Sequence, residues 1–133
     1  MLTRYDPDRA PDPKRWLATD EGQRIEICRR YHRRAGIRLP NETLHAAIHQ
    51  VVETQVAMAD ETPAAATLQR LMDEGLSRHD AVHAIGNVLA QYMLELMKQE
   101  DPTATNEKYF RDLRELTAES WLHSADEDGD DES

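Results

Sequence analysis

The chain has one cysteine, one phenylalanine and few aromatic residues of any kind, 5% of 133 residues. A lone Cys28 excludes an internal disulfide and any Cys-x-x-Cys motif, and it fits a reducing compartment. No apolar run is long enough to cross a bilayer. The opening Met1-Leu2-Thr3-Arg4-Tyr5-Asp6 lacks the apolar stretch of a signal peptide, so the expected location is the cytoplasm. Strand-like alternation and Asn-Gly hairpin signals are also missing, which points to an all-α fold. Neither a nucleophile elbow nor a phosphate-binding loop is present. An enzymatic reading would therefore have to rest on a bound metal. The length suits one domain with one modest core.

Positive charge is in deficit, with 16 Lys and Arg against 26 Asp and Glu. Six of the acids lie in Asp126-Glu127-Asp128-Gly129-Asp130-Asp131-Glu132, and removing them from the total of −10 leaves −4 for the rest. The expectation for 124–133 is a disordered, solvating acidic tail. Against this background Arg24, Arg29, Arg30, Arg33, Arg34 and Arg38 form a basic strip. Such a strip can bind phosphates. A net negative body with few aromatics argues against nucleic acid, and a solvated face paired with acidic groups is the plainer reading.

Residues 1–18, with prolines at 11 and 13, read as an extended lead-in that docks through Trp16 and Leu17. The helical domain spans 19–123. Thr19-Asp20-Glu21 starts a helix that runs to about Ala35, with Gly36 as its stop and Leu39-Pro40 as linker. Asn41 caps a second helix to about Asp60, with Leu44, Ile48, Val51, Val52 and Val56 as its apolar stripe. Thr62-Pro63 opens a short third helix ending at Gly75. Ser77-Arg78-His79-Asp80 resembles a capping box for a fourth helix reaching about Gln99. Val82, Ile85, Leu89, Met93 and Leu96 face inward on it, and Asp101-Pro102 ends it. A last helix covers about Asn106 to Leu122. The expected architecture is a four- or five-helix bundle of up-down topology.

Four of the six histidines form two matching pairs, His45-Ala-Ala-Ile-His49 and His79-Asp-Ala-Val-His83. A spacing of four puts both rings of a pair on one helical face, one turn apart. If the short helix between them reverses the chain, the second and fourth helices run parallel and both pairs lie at one level. The last turn of the first helix then brings His32 there too. Glu53, one turn beyond His49, extends the same face. The expected ligands are His45, His49, His79, His83, Glu53 and His32, for a divalent transition metal. Imidazoles with a carboxylate suit zinc, iron or manganese better than calcium or magnesium, and zinc or iron is the expectation.

Competing readings attach to several of these residues. A helical histidine is commonly a hydrogen-bonded core or surface residue, or part of a pH-sensitive packing layer. Asp80 reads as a helix cap rather than a ligand. Asn87 and Gln91, continuing the line from His83, are candidate hydrogen-bond partners of ligands. Gln55 is a candidate buried polar partner. Cys28 reads as a small core residue.

The segments Leu39-Pro40-Asn41 to His45-Ala46-Ala47-Ile48-His49 and Glu53-Thr54-Gln55, with Gly75-Leu76-Ser77-Arg78-His79-Asp80-Ala81-Val82-His83-Ala84-Ile85-Gly86 and the earlier Tyr31-His32-Arg33-Arg34, carry a resemblance. Over about residues 5–97 the chain resembles a group of small bacterial proteins known only as a domain of unknown function. The resemblance implies a small helical bacterial protein and brings no activity with it. Gln91 stands where many such relatives would have an acid. If that acid were a ligand, this chain has lost it.

Three functions follow as expectations. The first is a metal-binding helical protein with a His-rich zinc or iron site. The second is a non-haem metalloenzyme, oxidoreductase or hydrolase, using an open position on that metal, with an unspecified substrate. The third is a metal-free module that self-associates as a homo-oligomer. A carboxylate-bridged dinuclear site is disfavoured, because Glu-x-x-His occurs only as Glu42 before His45.

Overall fold

The computed structural model describes residues 2–35, 41–98 and 106–128. Among them the chain is all-helical, with no strand. The helices are α1 (Pro13–Ala18), α2 (Glu21–Arg34), α3 (Glu42–Ala57), α4 (Ala64–Asp73), α5 (Arg78–Lys98), α6 (Glu107–Glu115) and α7 (Ala118–Asp128), with a 3₁₀ turn at Ala59–Glu61. Gly36, Arg38, Leu39-Pro40 and Asp101-Pro102 lie outside the described residues, as does the tail from residue 129.

Helix starts follow the local chemistry. Asp20 accepts the Gln23 N–H at 3.1 Å, Asn41 that of Leu44 at 3.0 Å, and Ser77 Oγ that of Asp80 at 3.1 Å. Each side chain satisfies an N–H that the first turn leaves without a partner. Helix α4 stops at Gly75, whose φ of 112° lets the Leu76 N–H fold back to the Leu71 carbonyl at 3.1 Å.

Among the described residues there are seven α-helices against an expected four or five, for two local reasons. The lead-in is not wholly extended: Asp12 accepts the Arg15 N–H at 3.0 Å and Pro13 opens α1. The single last helix expected over 106–122 is two helices. Leu116 is extended, Thr117 Oγ1 accepts the Ser120 N–H at 3.0 Å, and α7 begins as a new helix. Glu74 pins that start by accepting the Ala118 N–H at 2.8 Å. Helix α7 also carries the chain to Asp128, into the segment expected to be tail.

The apolar residues form two clusters. The larger joins α3, α4, α5 and α6 around Val52, Leu71, Ile85 and Leu113. The smaller joins the N-terminal segment, α1, α2 and α3 through Tyr5, Trp16, Ile27, Cys28 and Ala46. Fully burying a leucine or isoleucine contributes about 1.5–3 kcal/mol. The helical stripes are only partly inward. Leu17, Leu44, Met93 and Leu96 are exposed, while Trp16, Val82, Ile85 and Leu89 are buried.

The approach of α3 to α5 positions the histidines. Gly86 is the close point: a Cβ added there would lie 3.1 Å from Ile48 Cγ2 and 4.0 Å from Val52 Cγ2. Offset side chains also meet across the two helices. Arg78, the first residue of α5, reaches Glu53 late in α3, while His83 meets His45 near the start of α3. The register expected from the matching His pairs is met where the His83 ring lies 4.9 Å from that of His49 and Gly86 faces Val52, and His83 is equally near His45 at 5.0 Å. Gly86→Leu is expected to lower unfolding free energy by about 1–3 kcal/mol through overpacking. Urea denaturation checks this, and an unchanged midpoint would mean that the helices can separate without loss.

Candidate metal centre

Three helices bring five imidazoles together. α2 contributes His32, α3 contributes His45 and His49, and α5 contributes His79 and His83. The ring centroids of His32 and His45 are 4.6 Å apart, those of His45 and His49 4.9 Å, and those of His49 and His83 4.9 Å. His32, His45, His49 and His83 each offer a ligand nitrogen within 4.8 Å of the others'. These four are positioned where they can hold a metal ion. His79 stands beside them, its ring 4.5 Å from His83 and 6.5 Å from His32, outside the group of four.

The cluster is desolvated. His32 and His49 are each 2% exposed. The Nε2 atoms of His32, His49, His79 and His83 are buried without a hydrogen-bond partner. Buried polar atoms nearly always find partners, so such a group in one place calls for an explanation. Their opposite edges are engaged where the structure shows a bond. A carbonyl can only accept, so His32 Nδ1–H donates to the Cys28 carbonyl at 2.8 Å, leaving the Nε2 lone pair facing the cluster. His49 Nδ1 lies 3.2 Å from the Tyr5 hydroxyl.

Burial is the main reason His32, His49 and His83 stay neutral. It pushes His49 well below the usual imidazole range, and the positive charge of neighbouring rings, His83 first, would push it further. His83 is lowered to about 3, again by burial first and then by His79, His45 and His32. His32 is lowered by burial, against the favourable bond to the Cys28 carbonyl. A neutral imidazole is the form a metal requires.

Glu53, expected as a ligand, is placed differently. It is 1% exposed, and both carboxylate oxygens are occupied. Arg78 donates to Oε1 and Oε2 at 2.8 Å each, and the Tyr5 hydroxyl donates to Oε2 at 2.6 Å. The carboxylate stands behind His49 and is not among the converging groups. Such bidentate, charge-assisted pairing is strong and directional. Arg78 is itself buried, also donating to the Pro7 carbonyl at 2.9 Å.

The other candidates fall away from the cluster. Asn87 and Gln91 line a cavity of about 330 Å³ with Asp112, Ser120 and Trp121. Gln55 accepts from the Tyr109 hydroxyl at 2.7 Å. Cys28 is fully buried, its thiol pushed far up by burial and then by Glu53, and it packs as a core residue. The described arginines of the basic strip are engaged within the chain. Arg29 and Arg30 pair with Glu26, and Arg29 and Arg33 with Glu42. Arg24 donates to the Trp16 and Leu17 carbonyls.

Sequence reasoning passed over Tyr5 and Arg78. Arg78 carried a weak signal, as the neighbour of His79 in a helix start. Tyr5 carried none, since it lies in a segment without periodicity and 44 residues from His49.

Among the described residues no helix is long and apolar enough to cross a membrane. No protein-family model matches the chain, and neither does any curated protein or solved structure.

Proposed function

We propose that this is a metal-binding helical protein whose centre takes zinc or iron through His32, His45, His49 and His83. The observation that carries this reading is the set of imidazole nitrogens within 4.8 Å of one another, several of them buried without a partner. Zinc–imidazole bonds of about 2.1 Å in a tetrahedron place ligand nitrogens roughly 3.4 Å apart. Contraction by at most about 1.4 Å from the 4.8 Å limit suffices, within the reach of side-chain rotations. With Glu53 engaged by Arg78 and Tyr5, the shell is all-nitrogen, and imidazole suits zinc, copper, iron and nickel. A shell filled by four protein ligands is the structural type of site.

The test is elemental analysis of protein purified without a His tag or added metal. About one transition metal ion per chain is expected for the wild type, and under about 0.1 for a His49→Ala/His83→Ala variant. His79→Ala is expected to keep its metal, because its nitrogens lie outside the group of four. A metal-free wild type that also fails to take up zinc or ferrous iron on titration would sink the proposal. The absorption spectrum then separates zinc, which is colourless, from iron.

A further inference from the structure

We propose that Tyr5 is a positioning residue of the metal centre, holding His49 in the tautomer that can bind metal and so making the N-terminal segment part of the site. The inference rests on the metal reading above, and it follows from counting protons. The Glu53 carboxylate, clamped by the Arg78 guanidinium, offers only acceptors. The Tyr5 hydroxyl, 2.6 Å from Glu53 Oε2, has one proton and donates it there. Toward His49 Nδ1, 3.2 Å away, the same oxygen can then only accept. His49 therefore carries its proton on Nδ1 and presents the Nε2 lone pair to the cluster. This parallels the arrangement at His32, where the Cys28 carbonyl does the same. Groups that orient metal-binding histidines in this way fix both the ring and its tautomer.

Residues 5–8 also grip the elements that carry the other histidines. Arg34, two residues beyond His32, donates to the Tyr5 carbonyl at 3.2 Å. Asp8 accepts the backbone N–H of His79 at 3.1 Å, and Arg78 reaches the Pro7 carbonyl. The Tyr5 ring packs edge-on to His49 and Tyr31 and tilted against Trp16. One short stretch thus ties α2, α3 and α5 together at the level of the cluster.

Tyr5→Phe keeps the ring and removes only the hydroxyl. Zinc affinity, measured by competition with a chromophoric chelator, is expected to fall about 10- to 100-fold. Helix content by circular dichroism is expected to stay as in the wild type. Tyr109→Phe, which removes a hydroxyl bonded to Gln55 instead, is expected to leave zinc affinity unchanged. In ¹⁵N-labelled metal-free wild type, long-range ¹H–¹⁵N spectra of the histidines are expected to show His49 protonated on Nδ1. In Tyr5→Phe the Nε2–H form is expected to appear. If wild type and Tyr5→Phe bind zinc equally, Tyr5 has no positioning role and the metal reading stands. If the wild type binds neither zinc nor ferrous iron, the metal reading fails and this inference with it. If Tyr5→Phe does not fold, the wild-type spectrum decides: a His49 protonated on Nε2 overturns the proposal without any variant.

Discussion

Arg78→Met is expected to cost about 3–5 kcal/mol of unfolding free energy, because it leaves a buried carboxylate without its counter-ion. Glu53 is 1% exposed and Arg78 6%, so water replaces little of what the guanidinium supplies. Methionine keeps much of the apolar stem of arginine, so the loss is mainly that of charge and hydrogen bonds. A second variant separates the pair's specificity from its net stability. Replacing both partners, as Arg78→Met/Glu53→Leu, is expected to recover much of the loss, since no orphaned charge remains. The Tyr5 hydroxyl would still lack its acceptor, so recovery is expected to be incomplete. Urea denaturation of the metal-free chain at pH 7 measures both. A loss below about 1 kcal/mol for Arg78→Met would show the pair to be hydrated in solution.

The second large effect is that of metal and protons on the same cluster. Zinc at a free concentration 1,000 times its dissociation constant is expected to stabilise the fold by about 4 kcal/mol. For a domain of this size that raises Tm by more than about 10 °C. A chelator should reverse the shift, and an unmoved Tm would contradict a specific site.

Acid should act in the same direction as the chelator. His49, His83 and His32 have folded pKa values below the ordinary 6.5. Between the folded and unfolded values the unfolded chain binds more protons. Stability is therefore full above about 6.5 and is lost as pH falls toward the His83 value of about 3. Each such histidine contributes a slope of up to about 1.4 kcal/mol per pH unit in that window. Protons also displace metal, so the zinc-loaded chain is expected to release its ion across the upper part of the same range. A metal-free chain equally stable at pH 7 and pH 4.5 would show that the rings are already hydrated or charged.

Much of this was legible along the chain because it is local. The caps at Asp20, Asn41 and Ser77 depend on bonds reaching three residues, and each helix begins where its cap says. The break at Thr117 was hidden because Leu116 interrupts a pattern that otherwise reads as continuous helix. Helix α1 was hidden by the prolines at 11 and 13 and by its length of six residues. Met93 and Leu96 show the converse, falling at core spacing on a part of α5 that nothing among the described residues covers enough to bury.

By itself the sequence determined which histidines share a face, since the helical repeat alone sets that. It could not determine what each polar group meets. Glu53 lies on the histidine face and reads as a ligand until Arg78 and Tyr5, 25 and 48 residues away, take both of its oxygens. His79 repeats the spacing of His45, yet it stands beside the group of four, its ring 4.5 Å from that of His83. Helical spacing is decided within a turn or two by backbone hydrogen bonds. The choice of partner for a buried carboxylate or imidazole is decided by which donors the packing of distant segments brings within about 3 Å, and only the tertiary structure does that.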